Sequence, residues 1–389
     1  MTRVVHVTDV FLPRVGGMEV QVSELARRQH AAGHAVSVVT SQADRGGRTP
    51  FVADVHRLTF PFQGDLPVRP FPRAAVARRL DAIEPDVVHV HLGGVAPFAW
   101  AALRHAVRRQ IPTVLTVHSM WDPATRLLLG GFDRLTRWSR LPFVATTVSR
   151  TAADSIRRVT ADRIPVRVVP NALDPAQWRP VSADHGAAER TPPRDPDPAD
   201  PTDVHVVTVG RIASRKRPLQ FCGILREVRA RLPREIRLTA TIAGDGPSRI
   251  AVERYLRTHR MTSWVRLPGK LGRDPVRRLL AEADVFVAPA WHESFGIAAL
   301  EARAAGLPVV AYRAAGVADF VRHEVEGLLC EDRAGMVEAV RRLASDADLR
   351  RRIGRHNCQH PPAAYAWPAV LDAFDQAYAD AADRIPDRA

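Results

Sequence analysis

The chain has 389 residues, of which 46% are hydrophobic and 25% charged, a balance typical of a globular protein with two or three domains. No run of about eighteen apolar residues occurs, which excludes a membrane-spanning helix. The three cysteines, Cys222, Cys330 and Cys358, are scattered without metal-ligand spacing. They indicate reduced thiols, and we therefore expect a cytoplasmic protein.

The formal net charge of +14 raises the question of an anionic partner. Every basic residue except Lys216 and Lys270 is an arginine, and the arginines are spread along the whole chain. They form no aromatic-interleaved stripe and no recognised nucleic-acid module, so we expect no nucleic-acid binding. A basic protein that binds nucleic acid or membrane is the competing hypothesis from another functional class.

Strand and helix patterns alternate through the first half of the chain. The predicted strands are Val4–Val10, Val36–Thr40, Val87–His91, Pro112–Val117, Phe143–Val148 and Val166–Val169. The predicted helices are Glu19–Ala32, Ala74–Ile83 and Pro97–Arg108. This alternation favours an α/β fold with a parallel, doubly wound sheet.

Residues 181–203 interrupt the alternation with five prolines, six acidic residues and almost no large apolar side chain. This composition predicts a disordered linker or insertion. A second set of strands follows, at His205–Val209, Leu238–Ala243, Val265–Leu267, Val285–Val287 and Pro308–Ala311, and the chain closes with a helix at Trp367–Ala382. We predict two Rossmann-like domains, residues 1–180 and 204–366, that face a cleft.

The segment from Trp291 to Val310 predicts a loop, a helix and a further strand, with a carboxylate on either side of the helix start. The backbone amides of Phe295, Gly296 and Ile297 would point out of the helix N-terminus, which is a ready anion site. A solvated glutamate in the first turns is the alternative. This alternative is less consistent with Glu301, because Glu301 borders the apolar stripe of the helix and a carboxylate at such a position needs a partner. We predict a functional site that includes Glu293 and Glu301.

Two turns at strand ends carry further candidates. Gly16 and Gly17 lie between a strand and a helix, where backbone can approach a phosphate, although glycines there are equally often plain turn residues. Arg211 and Lys216 follow the strand at residue 209, where two cations can neutralise a leaving diphosphate. A solvated basic turn is the alternative for that region, but lysine is so scarce in this chain that Lys216 fits it poorly.

His118 ends a predicted strand, and ligands bind beyond the carboxyl ends of strands in open α/β sheets. It can hydrogen-bond a sugar hydroxyl or assist proton transfer, or it can be a structural residue beneath Trp121. His89 and His91 face one side of their strand, and we interpret them as packing groups or as groups that support a ligand contact indirectly.

No HExxH motif or cysteine pair supports a metal, and no GxGxxG motif supports a dinucleotide cofactor. Two Asp-x-Asp strings, Asp195–Asp197 and Asp346–Asp348, match the motif of metal-dependent sugar transferases. We interpret both as coincidental, since one lies in the proline-rich segment and the other at the start of a surface helix. The sequence therefore predicts neither a metal nor a cofactor.

Taken in order along the chain, these sequence motifs resemble those of retaining glycosyltransferases of the GT-B fold, family 4. The resemblance covers nearly the whole chain through GGMEVQVSELARRQHAAGHAVSVVT, EPDVVHVH, VPNALD, VGRIASRKRP, AGDGP and HESFGIAALEARAAGLPVVA. It implies two Rossmann-like domains that close over a UDP- or GDP-sugar, with residues 367–389 returning to the first domain. It also implies retention of anomeric configuration, no metal, and a small-molecule, lipid or glycan acceptor. A related activity, such as nucleotide-sugar epimerisation or pseudo-glycosyltransfer, is the nearest enzymatic alternative.

The resemblance also implies a role for each candidate residue. Glu293 would hold hydroxyls of the transferred sugar, and Glu301 would bind the ribose. Arg211 and Lys216 would stabilise the departing diphosphate, and His118 would approach the sugar near its 6-hydroxyl. Backbone contacts would come from Phe295, Gly296 and Ile297 to the diphosphate and sugar, from Leu271 to the base, and from Gly16 and Gly17 to the phosphates.

A basic cluster in the first half predicts reversible contact with an anionic membrane at the cytoplasmic face. It consists of Arg69, Arg73, Arg78 and Arg79 around a helix with apolar Val76, Leu80 and Ile83. A solvated helix face is the alternative of equal weight.

Overall fold

A computed structural model describes residues 1–14, 16–44, 53–59, 72–94, 96–179 and 202–385. The chain forms two compact units. Unit 1 contains residues 1–172 together with the C-terminal residues from Trp367, and unit 2 contains residues 173–366. The division at residue 172 precedes the boundary that we expected at residue 180. Most of the expected linker, residues 181–201, lies outside the described residues, and Asp203 belongs to a strand and not to the linker.

Unit 1 is built on a parallel sheet of seven strands with the order β3-β2-β1-β4-β5-β6-β7. The strands are β1 (Arg3–Thr8), β2 (Ala35–Thr40), β3 (Asp54–Arg57), β4 (Val87–Leu92), β5 (Thr113–Val117), β6 (Val144–Thr147) and β7 (Val166–Val168). The helices are α1 (Gly17–Ala31), α2 (Arg73–Ile83), α3 (Pro97–Arg108), α4 (Pro123–Thr136) and α5 (Arg150–Thr160). Valine-rich strands such as β4 are buried along their whole length, as expected for a parallel sheet covered on both faces.

Unit 2 has a parallel sheet of six strands with the order β10-β9-β8-β11-β12-β13. The strands are β8 (Asp203–Val209), β9 (Arg237–Ala243), β10 (Val265–Gly269), β11 (Val285–Ala288), β12 (Val309–Tyr312) and β13 (Gly327–Cys330). The helices are α6 (Pro218–Arg231), α7 (Arg249–Thr258), α8 (Arg273–Ala281), α9 (Ile297–Ala304), α10 (Arg333–Ser345) and α11 (Ala347–Gln359). Both units are therefore Rossmann-like, as the alternation of patterns predicted.

The last helix, α12 (Trp367–Ala382), packs in unit 1 although it follows unit 2 in the chain. Its buried side chains recur every three or four residues and form one apolar stripe. The stripe contacts residues from four strands of the unit 1 sheet, Val4, Val87, Val114 and Val144. Helix α12 thereby completes the covering of one sheet face.

Helix α9 is anchored at its C-terminal end by buried polar contacts. Arg303 donates to the carbonyl of Phe320 at 2.8 Å and pairs with Glu326 at 3.4 Å. Glu326 also accepts from Arg322 at 2.6 Å, and its side chain is 2% exposed. Asn357 donates to the carbonyl of Leu307 just beyond the helix at 2.9 Å. These contacts fix the position of α9, and with it the loop that precedes the helix.

The first prediction concerns the anchor at Glu326. We expect Glu326→Ala to lower the free energy of unfolding by about 3–5 kcal/mol, because it leaves the guanidinium of Arg303 buried without its counter-charge. Urea denaturation measures the change. Glu338→Ala is the matched control, since Glu338 forms an exposed pair with Arg341 and its loss should cost no more than about 1 kcal/mol. Equal losses in the two variants would contradict the anchoring role.

Candidate active site

The turn after β8, residues 210–217, is held in place by the turn that follows β9. The amide of Ile212 donates to the carbonyl of Asp245 at 2.9 Å. A Cβ atom at Gly244 would lie 1.8 Å from the carbonyl oxygen of Gly210, so only glycine permits this close approach. The second turn therefore has a structural role, since it fixes the backbone that carries the two candidate cations.

Lys216 and Glu293 form an ion pair in unit 2. The ammonium of Lys216 donates to Oε2 of Glu293, and the two side chains are 33% and 15% exposed. Strands β8 and β11 are neighbours, and the strand order reverses between them, so the pair joins two loops at a switch point of the sheet. Arg211 is exposed in the same turn, and within the described part of the chain its guanidinium has no hydrogen bond or ion pair.

The loop from Glu293 to Ile297 connects the ion pair to helix α9. Phe295 is buried and packs against Phe320 at 5.2 Å between ring centroids, so only its main chain is available to a ligand. Gly296 has a left-handed conformation with φ of 87° and begins α9. The amides of residues 295–297 donate to no acceptor among the residues that the structure describes. Amides without an acceptor at a helix N-terminus can bind an anion.

Glu301 lies one turn into α9 and is half-buried. Burial raises the pKa of its carboxyl group to about 8, and the positive charge of Arg273 acts in the opposite direction. Arg273 begins α8 and stacks over the ring of Trp178 at 5.7 Å. Leu271, the residue expected to meet the base, is half-buried in the loop just before α8. Glu301 is thus a carboxyl group that is largely protonated at neutral pH in the free protein.

Gly16 and Gly17 lie at the start of α1 in unit 1. Gly16 caps the helix, and its carbonyl accepts from the amide of Val20 at 3.1 Å. A Cβ atom at Gly16 would lie 2.5 Å from a carboxylate oxygen of Glu19, which is buried and pairs with Arg14 at 3.3 Å. A phosphate that approached the two glycines would therefore meet Glu19, and their contact with phosphate stays a prediction.

His118 follows β5 in unit 1, and its amide donates to the carbonyl of Leu92 at 2.8 Å. Its Nε2 atom is 3.1 Å from Nδ1 of His91. Burial lowers the pKa of His118 to about 4. The imidazole is therefore neutral at physiological pH, and it can act on a ligand hydroxyl as a hydrogen-bond partner but cannot supply a proton as imidazolium.

His118, His91 and His89 belong to a larger group of hydrogen-bonded side chains in unit 1. The sequence did not identify three members of this group, His6, Gln29 and Tyr378. His6 lies beside His89 in the sheet and bonds to Nε2 of His91 at 3.0 Å. Gln29 bonds to His6 at 2.7 Å and to Tyr378 at 2.9 Å. The alternation of His89 and His91 indicated a shared face, but no sequence pattern showed which strand and which helices would cover that face.

Among the described residues, Asp346 and Asp348 belong to no group of side chains that could hold a metal ion. Asp346 caps α11 by accepting from the amide of Leu349 at 2.8 Å. Asp348 pairs with Arg351 at 2.7 Å and is exposed. The string at Asp195 lies outside the described residues.

The basic helix expected to contact a membrane is α2, and its apolar residues face the protein interior. Val76 and Leu80 are fully buried and pack in the core of unit 1, so the apolar face of the helix is not available to lipid. Arg73 and Arg78 are exposed, whereas Arg69 lies outside the described residues. No helix among the described residues is long and apolar enough to cross a bilayer. An electrostatic contact stays a prediction.

Comparisons with known proteins agree with this geometry. Residues 15–177 match the family model of Glycosyltransferase Family 4, and residues 203–346 match that of glycosyl transferases group 1. The chain is 30% identical to the D-inositol 3-phosphate glycosyltransferase of Salinispora tropica over 98% of this chain and 86% of that protein. It is 25% identical to the phosphatidylinositol N-acetylglucosaminyltransferase GPI3 subunit of Saccharomyces cerevisiae, over 82% of this chain and 69% of that protein.

Two solved structures show the same fold. The sucrose-phosphate synthase of Thermosynechococcus elongatus superposes with a TM-score of 0.77 at 18% identity, covering 97% of this chain and 98% of that chain. The Anabaena protein HepE, in complex with UDP-glucose, superposes with a TM-score of 0.74 at 16% identity, covering 97% of this chain and 100% of that chain. The chain therefore belongs to glycosyltransferase family 4 and has the GT-B fold.

Proposed function

We propose that the protein transfers a hexose from a UDP- or GDP-sugar to a small-molecule, lipid or glycan acceptor, with retention of anomeric configuration and without a bound metal. One observation carries the proposal. A cation and a carboxylate, Lys216 and Glu293, meet at the switch point of the unit 2 sheet, and the same loop offers three backbone amides that have no acceptor among the described residues.

The arrangement suits a ligand that carries both phosphates and hydroxyls. Lys216 and Arg211 supply positive charge, the ammonium as a point charge and the guanidinium as a planar fork. The amides of residues 295–297 add donors at the N-terminus of α9. Glu293 and Glu301 supply oxygen atoms that accept from hydroxyl groups. Each group that stabilises charge on a leaving diphosphate is typically worth about 10²–10³ in rate.

Transfer with retention breaks the bond between the anomeric carbon and the diphosphate oxygen, and the electron pair leaves with the diphosphate. The acceptor hydroxyl forms its new bond on the same face of the sugar, and its proton passes to the departing phosphate oxygen. Retention is supported by the likeness of the sequence motifs to retaining members of the family. The two cations of unit 2 would stabilise the charge that develops on the diphosphate.

The relatives guide the choice of acceptor and donor for assays. Several are named for inositol phosphate or phosphatidylinositol as substrate, so acceptors with an inositol phosphate group are the first to test. A protein with the same fold was solved with UDP-glucose, so this sugar nucleotide is the first donor to test.

The second prediction concerns the Lys216–Glu293 pair. We expect Lys216→Met and Glu293→Gln each to lower kcat by about 10²–10³, because each removes a charge that acts on the leaving group or orients the sugar. Steady-state transfer assays measure the effect, and thermal unfolding checks the fold. Arg215→Ala is the matched control, since Arg215 is exposed in the same turn and its side chain forms no hydrogen bond or ion pair with the described residues. Near-wild-type turnover in both variants would contradict the roles assigned to Lys216 and Glu293.

The third prediction concerns metal. We expect transfer to continue at full rate after treatment with EDTA, because Lys216 and Arg211 supply the charge that a divalent cation would otherwise provide. Loss of activity that Mg²⁺ or Mn²⁺ restores would show that the reaction needs a metal.

The fourth prediction follows from the pKa of Glu301. With a pKa near 8 in the free protein, the carboxyl group is mostly protonated at pH 7. Ribose hydroxyls donate best to the ionised form, so binding of UDP or GDP should lower the pKa and release about one proton. Isothermal titration calorimetry in buffers of different ionisation enthalpy measures this release.

Two comparisons isolate the contribution of Glu301. The release should decline at pH 9, where the free carboxyl group is already ionised, and it should be absent from Glu301→Gln. Because the nucleotide phosphate can also exchange protons, the decisive quantity is the difference between the two proteins. An equal release in wild type and variant at pH 7 would rule out Glu301 as the source.

A further inference from the structure

Three imidazoles form a hydrogen-bonded series inside unit 1, and a fourth stacks beside them. His6 lies on β1, His91 lies on β4 and His118 follows β5. The bonds run from Oε1 of Gln29 to Nε2 of His6 at 2.7 Å, from Nδ1 of His6 to Nε2 of His91 at 3.0 Å, and from Nδ1 of His91 to Nε2 of His118 at 3.1 Å. The fourth imidazole, His89, stacks beside His91 with 4.1 Å between ring centroids.

Each of these rings carries a single proton. Burial lowers the pKa of His6 and of His118 to about 4, and it lowers the pKa of His89 and His91 well below the ordinary value. A neutral imidazole has one N–H donor and one nitrogen lone pair. When one nitrogen of such a ring donates, the other must therefore accept.

This rule fixes the direction of every bond in the series. The oxygen of Gln29 can only accept, so His6 donates from Nε2 and accepts at Nδ1. His91 then donates from Nε2 and accepts at Nδ1, and His118 donates from Nε2. Nδ1 of His118 is left with a lone pair, and this buried atom has no hydrogen-bond partner among the described residues.

A second branch holds the amide of Gln29 in this orientation. Its Nε2 atom donates to the hydroxyl of Tyr378 at 2.9 Å, and that hydroxyl donates to Nδ1 of His89 at 2.9 Å. Nε2 of His89 donates to the hydroxyl of Thr116 at 2.6 Å. If the oxygen and nitrogen of the Gln29 side-chain amide exchanged places, donor and acceptor would have to exchange in every bond of both branches. The reversed state would also leave a buried N–H at His118, and a buried donor without a partner is rarer than a buried acceptor without one.

We propose that Gln29, acting through His6 and His91, fixes the proton of His118 on Nε2 and so presents Nδ1 as an acceptor for a ligand hydroxyl. That the hydroxyl belongs to the transferred sugar rests on the proposed function. Gln29, His6, His91 and Tyr378 are positioning residues, because they act on the ligand only through His118.

The alternative hypothesis is that the same histidines bind a metal ion. Ring nitrogens of His6, His89 and His91 lie within 4.8 Å of one another, close enough to share an ion. All six ring nitrogens already have hydrogen-bond partners, so a metal would have to break at least two of these bonds. The hydrogen-bonded series accounts for every one of these atoms without an ion.

Long-range ¹H–¹⁵N correlation spectra of histidine-labelled protein test the proposal, since they show directly which ring nitrogen carries the proton. In wild type we expect His118 to carry it on Nε2. In Gln29→Leu we expect His118 to populate both tautomers, and kcat/KM to fall about tenfold, as for the loss of one hydrogen bond. Gln21→Leu is the matched control, because Gln21 is a buried glutamine on the same helix that bonds only to the backbone of Ala172. His118 should keep a single tautomer in this control.

Tyr378→Phe provides a second variant that preserves the ring packing in the core if Gln29→Leu does not fold. It removes the hydroxyl that holds the amide, and it should also mix the tautomers of His118. A proton on Nδ1 in wild type, or a single unchanged tautomer in both variants, would overturn the proposal. Loss of the imidazole N–H signals on addition of Zn²⁺ to wild type would overturn it in favour of a metal site. The spectra need no substrate, so they remain decisive even if no sugar transfer is found.

Discussion

The order of the strands in unit 2 is the constraint on which the candidate site depends. Residues 209 and 288 end two strands that are far apart in sequence, and only the pairing of β8 with β11 brings the following loops together. The ion pair of Lys216 and Glu293 results from that pairing. Arg303 and Glu326 anchor the C-terminal end of α9, and this anchor fixes the loop that precedes the helix. The geometry of the candidate site thus depends on contacts that lie outside the site.

Much of the architecture could be predicted from the sequence because local patterns were strong. Helices Pro97–Arg108 and Trp367–Ala382 have the predicted bounds, and the predicted strands all occur within a few residues of their expected ends. The edge strands β3 and β13 were not predicted, although the shorter edge strand β7 was. The placement of Lys216 and Glu293 at strand ends was predicted, but their pairing depends on strand order, which periodicity does not reveal.

The remaining features arise between elements that are distant in the chain. Glu19 folds over Gly16 because a helical turn brings it there, and Arg273, the charge that acts on the pKa of Glu301, lies on a different helix. His6 could be recognised only after β1 was placed beside β4. In both units burial keeps ionisable groups neutral, with a carboxyl group protonated in one and imidazoles deprotonated in the other.

The position of α12 in the chain has a consequence for the order of folding during synthesis. Unit 2 is continuous in sequence, so it can complete its core as soon as residue 366 has left the ribosome. Unit 1 must wait for the last residues to be made, because Trp367, Phe374 and Tyr378 cover one face of its sheet. Until then Val4, Val87 and Val114 are exposed to water. The first half of the nascent chain is consequently the part most exposed to aggregation and to capture by chaperones, although it is synthesised first.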